Sequence, residues 1–296
     1  MPLLVKRLLL PVILSLLVSS CLVDGGKPLK SYAITLPAQL RHYVGGEWME
    51  YVIIGHWQQK GVGEQTGLSG TMRIDWSNDV ITNPTTLQTI NVLRKTTTIT
   101  VDDTENSIVQ FFTQRAATEE DAGSLYLQAV MGTGKDDLYW VETDISGDTP
   151  EALKILWSPF ETEATGIDIA DHSYEHDVIG SCNQVGCTPV GRLDMGVMQY
   201  LPSRENSVET QYGYFDTYRM IYDISYSPVS SISAAIDPRL WCGAGADKSV
   251  ESHNSYYNFH PEIGIVRMNN YCNNGSYTVY INATLSDTNI ELTSAQ

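Results

Sequence analysis

Apolar and polar side chains alternate one for one through long stretches of this chain. In Thr71 to Trp76, Met72, Ile74 and Trp76 fall on one side, and Thr71, Arg73 and Asp75 fall on the other. Successive side chains of an extended strand point to opposite faces, so a period of two describes a strand with one buried and one wet face. The run before it, Trp48 to Trp57, reads the same way, and Gln58 to Gly67 between them carries Gly61, Gly63 and Gly67. The two runs are predicted to form a hairpin.

Further strands are predicted at Ile90 to Val101, Ser107 to Gln114, Ser124 to Met131 and Leu138 to Glu142, separated by residues such as Asp102-Asp103 and Glu119-Glu120-Asp121. Connections this short exclude helical crossovers and imply an antiparallel meander. The second half adds Arg192 to Leu201, then Val208 to Tyr226, where Tyr218, Met220, Tyr222, Ile224 and Tyr226 share a face. Last comes the alternation of Tyr277, Val279, Ile281, Ala283 and Leu285. Val208 to Tyr226 exceeds an ordinary strand, so a bend or bulge is expected at Gly213 and Asp216. Thr149 to Leu156, with Thr149 as cap and Pro150 in the first turn, is the helix candidate, and Ile155 to Trp157 equally suits the start of a strand.

The 17 tyrosines against 5 phenylalanines fit sheet faces that pack the ring and leave the hydroxyl wet. No repeat of 20 to 50 residues recurs, which disfavours a propeller or solenoid. The expected fold is all-β or strand-dominated α+β, with curved antiparallel sheets in a half-barrel or sandwich-like arrangement. It would occupy residues 31–296, with a division near 146–150 and an unbroken sheet through that point both open.

The first twenty residues are of another kind. Lys6 and Arg7 precede an apolar stretch from Leu8 to Val18, and Ser19 and Ser20 lead to Cys21. This is the layout of an export signal. Its apolar run is interrupted by Pro11 and falls short of the roughly 20 residues that a membrane-crossing helix needs.

Val18-Ser19-Ser20-Cys21 resembles the bacterial lipobox, in which an aliphatic and two small residues precede the cysteine that becomes diacylated. The resemblance implies cleavage before Cys21, lipid on that cysteine and a membrane anchor, since each buried CH₂ contributes about 0.8 kcal/mol. In enterobacterial members of this class an aspartate directly after the cysteine marks the inner membrane. Leu22 stands there and Asp24 two places later, so the resemblance points to the outer membrane. Residues 21–30, with Gly25, Gly26 and Pro28, read as a lipidated tether. A curved sheet on such a tether, with His260-Pro261-Glu262 and then Gly264-Ile265-Val266 late in the chain, is similar in outline to half-barrel lipid and lipoprotein carriers of the bacterial envelope. That similarity bears on the fold alone.

With Cys21 committed to lipid, Cys182, Cys187, Cys242 and Cys272 remain as disulfide candidates. Four cysteines allow three pairings, and the local scheme of Cys182 with Cys187 and Cys242 with Cys272 is preferred because each pair lies in one neighbourhood. Such bonds persist in an oxidising compartment. The net charge is −17, and loss of Lys6 and Arg7 leaves the remainder more acidic still. A surface of that sign repels phosphate backbones, so nucleic acid is not an expected partner.

The sequence contains no G-x-S-x-G, S-x-x-K, H-E-x-x-H, C-x-x-C or P-loop arrangement, and Gly132-Thr133-Gly134-Lys135 reads as a turn. His172-Ser173-Tyr174-Glu175-His176 fits H-x-x-E-H, in which a helix offers two histidines to zinc and the glutamate activates water. Its short, weakly helical flanks favour a solvated acidic loop over that site, with a structural or adventitious metal loop as a further alternative. His42 and His56 adjoin aromatics and are expected to cap or pack. Ser252 to His260, with Tyr256, Tyr257 and Phe259, is expected to be a loop packing its own aromatics, with a stacking surface for sugar or peptide as the alternative.

These readings converge on a membrane-anchored envelope lipoprotein, non-catalytic and without a cofactor, that binds an envelope protein, lipid or glycan. The alternatives are a metal-dependent hydrolase using His172, Glu175 and His176, and a structural surface protein.

Overall fold

The computed structural model of the chain describes residues 29–34, 41–83, 87–101, 104–116, 124–131, 138–143, 153–156, 169–183, 186–227, 252–273 and 277–292. These residues form strands and connecting turns, with no helix among them. In chain order the strands are β1 (Lys30–Tyr32), β2 (Trp48–Gln59), β3 (Thr66–Thr82), β4 (Thr89–Val101), β5 (Thr104–Arg115), β6 (Ser124–Met131) and β7 (Leu138–Thr143). They continue as β8 (Leu153–Leu156), β9 (Ile169–Asn183), β10 (Gly186–Glu209), β11 (Gly213–Ser227), β12 (Ser252–His260), β13 (Gly264–Asn273) and β14 (Tyr277–Thr288).

All of them belong to one sheet, in the order β1-β11-β10-β9-β7-β6-β5-β4-β3-β2-β14-β13-β12, with β8 beside β6. The expected meander is present from β2 to β7, and the last strand, β14, lies antiparallel against β2. The sheet curves far enough for β12 to pair with β11 through Tyr218 to Asp223. At the start of β11, β1 pairs in parallel with Gly213, Tyr214 and Phe215. Since β10 covers the opposite edge, β1 occupies the stretch that β12 leaves open and removes an exposed strand edge.

Alternation places the core. Met49, Tyr51 and Ile53 of β2, Met72, Ile74 and Trp76 of β3, and Ile281, Ala283 and Leu285 of β14 are buried in one cluster, joined by Leu93, Ile99, Phe112, Phe215, Phe259 and Val266. Burying a side chain of this size contributes roughly 1.5–3 kcal/mol. Val92, next to Leu93 on β4, packs on the opposite face in a second cluster with Ile81, Phe111 and Ala129.

Several expectations are corrected. Residues 153–156 of the helix candidate form strand β8, paired with Leu125 to Leu127, and 149–152 lie outside the described residues, as do 146–148 and 150 of the proposed division. Val208 to Tyr226 is not one bent strand. Thr210 ends the ascent, its backbone N–H and hydroxyl donating to the Gly213 carbonyl at 2.9 and 2.8 Å while its Oγ1 accepts from Gly213 N–H at 3.0 Å. A local side-chain bond of this kind outcompetes the ladder and closes a turn. Gly213 is also the point where β1 comes closest, and a Cβ there would stand 2.7 Å from the Lys30 carbonyl oxygen. Neither His172 to His176 nor Ser252 to His260 is a loop: they lie in β9 and β12.

Candidate functional site

On the core face of the sheet, residues 41–47 run across β3 and β5. The Arg41 guanidinium pairs with the Glu47 carboxylate and donates to the Glu262 carbonyl at 2.9 Å. Tyr43 N–H donates to Gln114 Oε1 at 2.9 Å, and Gln114 Nε2 returns a bond to the Tyr43 carbonyl at 2.6 Å. The Tyr43 ring stacks on Trp76 at 4.4 Å, and Phe112 lies tilted against the same indole at 5.9 Å. Burial pushes the Tyr43 hydroxyl up to about 12 and lowers the Arg41 guanidinium, so the segment is fixed as a neutral phenol beside a compensated cation.

Lys95 of β4 is the direct partner of Trp76 across the ladder, and cross-strand partners share a face. Its Nζ lies 5.9 Å from the Trp76 ring centre. The side chain is half-buried. Desolvation lowers its ammonium from the ordinary lysine value to about 8.

A second feature lies where β1, which follows the residues expected to form a tether, joins the sheet. The Tyr32 ring of β1 stacks on Phe215 at 4.7 Å and on Tyr212 at 6.0 Å, and Phe215 meets His260 edge-on at 5.5 Å. His260 is fully buried. Its Nδ1 accepts from Glu262 N–H at 3.3 Å, which leaves Nε2 to carry the hydrogen and donate to the Ala33 carbonyl at 3.4 Å. Beside this stack a cleft of about 400 Å³ is lined by Lys30, Tyr32, Tyr212, Thr288, Asn289 and Glu291, among others. Asn289 and Thr288 are held by Trp48 and Gly46, at 2.8 Å for Trp48 N–H to Asn289 Oδ1 and 2.8 Å for Asn289 Nδ2 to the Gly46 carbonyl. One wall of the cleft is therefore rigid.

The residues singled out from sequence are dispersed. Cys182 and Cys187 stand directly opposite each other at the end of the β9–β10 hairpin. Cys272 lies on β13 opposite His253 of β12 and Val279 of β14. Cys21 and Cys242 lie outside the described residues. His172, Glu175 and His176 are strand residues opposite Val197, Asp194 and Leu193 of β10. Along an extended strand the backbone positions of His172 and His176 stand about 13 Å apart. The one-turn spacing that zinc hydrolysis needs from H-x-x-E-H is a helical property that β9 does not provide. Among the described residues no group of three or more His, Cys, Asp or Glu side chains is arranged to hold a metal. The tether-end cleft and the Lys95 position escaped the sequence reading. The first joins residues from both ends of the chain, whereas the second carried a signal, a lysine in phase with Leu93 and Ile99.

These elements define an all-β domain built on a single curved sheet, with its N-terminal strand added in parallel beside a polar cleft. The sequence matches no protein-family model and no curated protein. Two crystal structures show a distant likeness. One is a Parabacteroides distasonis protein described as a lipoprotein, at 12% identity and a TM-score of 0.36 over 83% of this chain and 97% of that one. The other is a Bacteroides fragilis protein described as exported and as having a YmcC-like fold, at 10% identity and a TM-score of 0.35 over 85% and 98%.

Proposed function

We propose that this chain is a non-catalytic envelope lipoprotein, anchored on the outer membrane through lipid on Cys21, whose sheet domain binds a protein, lipid or glycan partner. The observation that carries the reading is Val18-Ser19-Ser20-Cys21 at the end of an export signal. From Cys21 the chain reaches Lys30, the first residue of β1, over a span of at most about 30 Å. The tether-end cleft then faces the layer next to the membrane. Two tyrosine rings with Lys30, Glu291 and the strand-end polar groups suit a hydroxyl-rich ligand, for which a glycan is the natural chemistry.

Fractionation of cells expressing Cys21→Ser tests this. The wild-type chain is expected in membranes carrying labelled fatty acid, and the variant is expected unlabelled, either uncleaved or soluble. A variant that is still cleaved, membrane-bound and labelled would refute the proposal.

A further inference from the structure

We propose that Lys95 and Trp76 form an oxyanion-binding site on the core face of the sheet, taking a small ligand through its carboxylate or phosphate group. Two independent observations carry it. Trp76 is 4% exposed, and its indole Nε1 has no hydrogen-bond partner. A buried indole N–H ordinarily finds one, because leaving it unpaired carries the full cost of its desolvation. Its ladder partner Lys95 is half-buried, with its ammonium 5.9 Å from the Trp76 ring centre, close to the outer limit of about 6 Å for such contacts.

Three nearby arginines have carboxylate partners. Arg41 has Glu47, Arg73 has both Glu50 and Asp75, and Arg94 has Asp79. The chain carries 35 acidic residues against 18 lysines and arginines, yet among the described residues no carboxylate pairs with Lys95. The residues sharing its face are Trp76 from β3, Gln110 from β5, and Leu93 and Thr97 along β4. These supply an amide, a hydroxyl and one indole N–H but no negative charge. A desolvated cation without a counter-ion is unfavourable, and a ligand oxyanion would complete it. With its proton leaving at about 8, Lys95 is still charged at neutral pH. The site is separate from the tether-end cleft and does not depend on lipid anchoring.

The test uses the full mature chain with its lysines reductively ¹³C-methylated and followed by NMR during titration with inorganic phosphate and, separately, octanoate. The Lys95 resonance, assigned by its loss in Lys95→Met, is expected to move saturably at concentrations that leave exposed Lys60 unmoved. In parallel, the ligand that shifts it should raise the Tm of the unmethylated wild type and leave that of Lys95→Met unchanged, since only a ligand of the native state stabilises it. Trp76→Phe, which keeps the ring packing, should weaken binding several-fold. A response to phosphate alone identifies a phosphorylated ligand, to octanoate alone a carboxylate amphiphile, and to both the shared oxyanion. A Lys95 response that only tracks Lys60, with equal Tm shifts in wild type and Lys95→Met, overturns the proposal. So does the absence of any response to both probes.

Discussion

The Tyr51 hydroxyl on β2 donates a 2.7 Å hydrogen bond to the Ile265 carbonyl on β13, reaching past the intervening strand β14. A flat sheet would hold strands two places apart at about 9.5 Å, so this bond belongs to the curvature that brings β12 round to β11. Tyr51 is 1% exposed, and its burial raises the hydroxyl well above the ordinary tyrosine value. Tyr51→Phe removes the donor and leaves the acceptor partly buried. A loss of about 1–2 kcal/mol in urea unfolding is expected, and an unchanged midpoint would show that the bond does not hold the curve.

Gly264 opens β13 with φ +97, and a Cβ there would lie 2.4 Å from the Tyr43 hydroxyl. Gly264→Ala therefore meets both a strained backbone and a collision with the ring stacked on Trp76. We expect a loss of about 2 kcal/mol or more, together with a change in the near-UV circular dichroism of the Tyr43–Trp76 pair. Gly61 also has a positive φ, +84, but open space around it, so Gly61→Ala should show only the smaller backbone effect.

His260 gives the domain a pH dependence. Desolvation lowers its folded-state value below the ordinary one near 6.5, the Ala33 hydrogen bond and the acids Glu262 and Asp216 opposing that effect only in part. Below about pH 6.5 the unfolded chain therefore binds a proton that the folded chain resists, and stability present above that pH falls as pH drops. Urea midpoints should be level from about pH 8 to 7 and decline below about 6.5, with a shallower decline in His260→Gln. A slope that the substitution leaves unchanged would place the titration elsewhere.

The half-buried strands were legible because water on one face forces alternation. Met72, Ile74 and Trp76, and likewise Ile281, Ala283 and Leu285, are buried as their spacing requires. β9 was not legible because His172 to Asp177 is polar on both faces, and what extends it is the ladder to β10 rather than a pattern of its own. β12 failed for the opposite reason, as Tyr256, Tyr257 and Phe259 place aromatics on both faces and show no period. Strand order is non-local: nothing in β14 or β2 alone states that they pair. Lys95 could have been found as the one charge in the series Leu93, Lys95, Thr97, Ile99, Val101, whereas the tether-end cleft needs Tyr32 beside Tyr212 and Glu291, which only the folded chain provides.

The register of β9 and β10 bears on the cysteines. Facing positions across a hairpin bring Cβ atoms to about 4.5–5.5 Å, close to what a disulfide spans. Peptide mapping of the unreduced protein is expected to join Cys182 to Cys187 and, by elimination, Cys242 to Cys272. Alkylation should then modify none of the four. Cys182 joined to Cys242 or Cys272 would reject the local scheme.

Intact-mass and N-terminal analysis of the chain extracted from native membranes tests the lipoprotein reading most directly. The chain is expected to begin at Cys21 and to carry the added mass of two or three acyl chains on that residue, all of it lost in Cys21→Ser. A mature chain that begins at any other residue, or one that begins at Cys21 with a free thiol and no added mass, would contradict it.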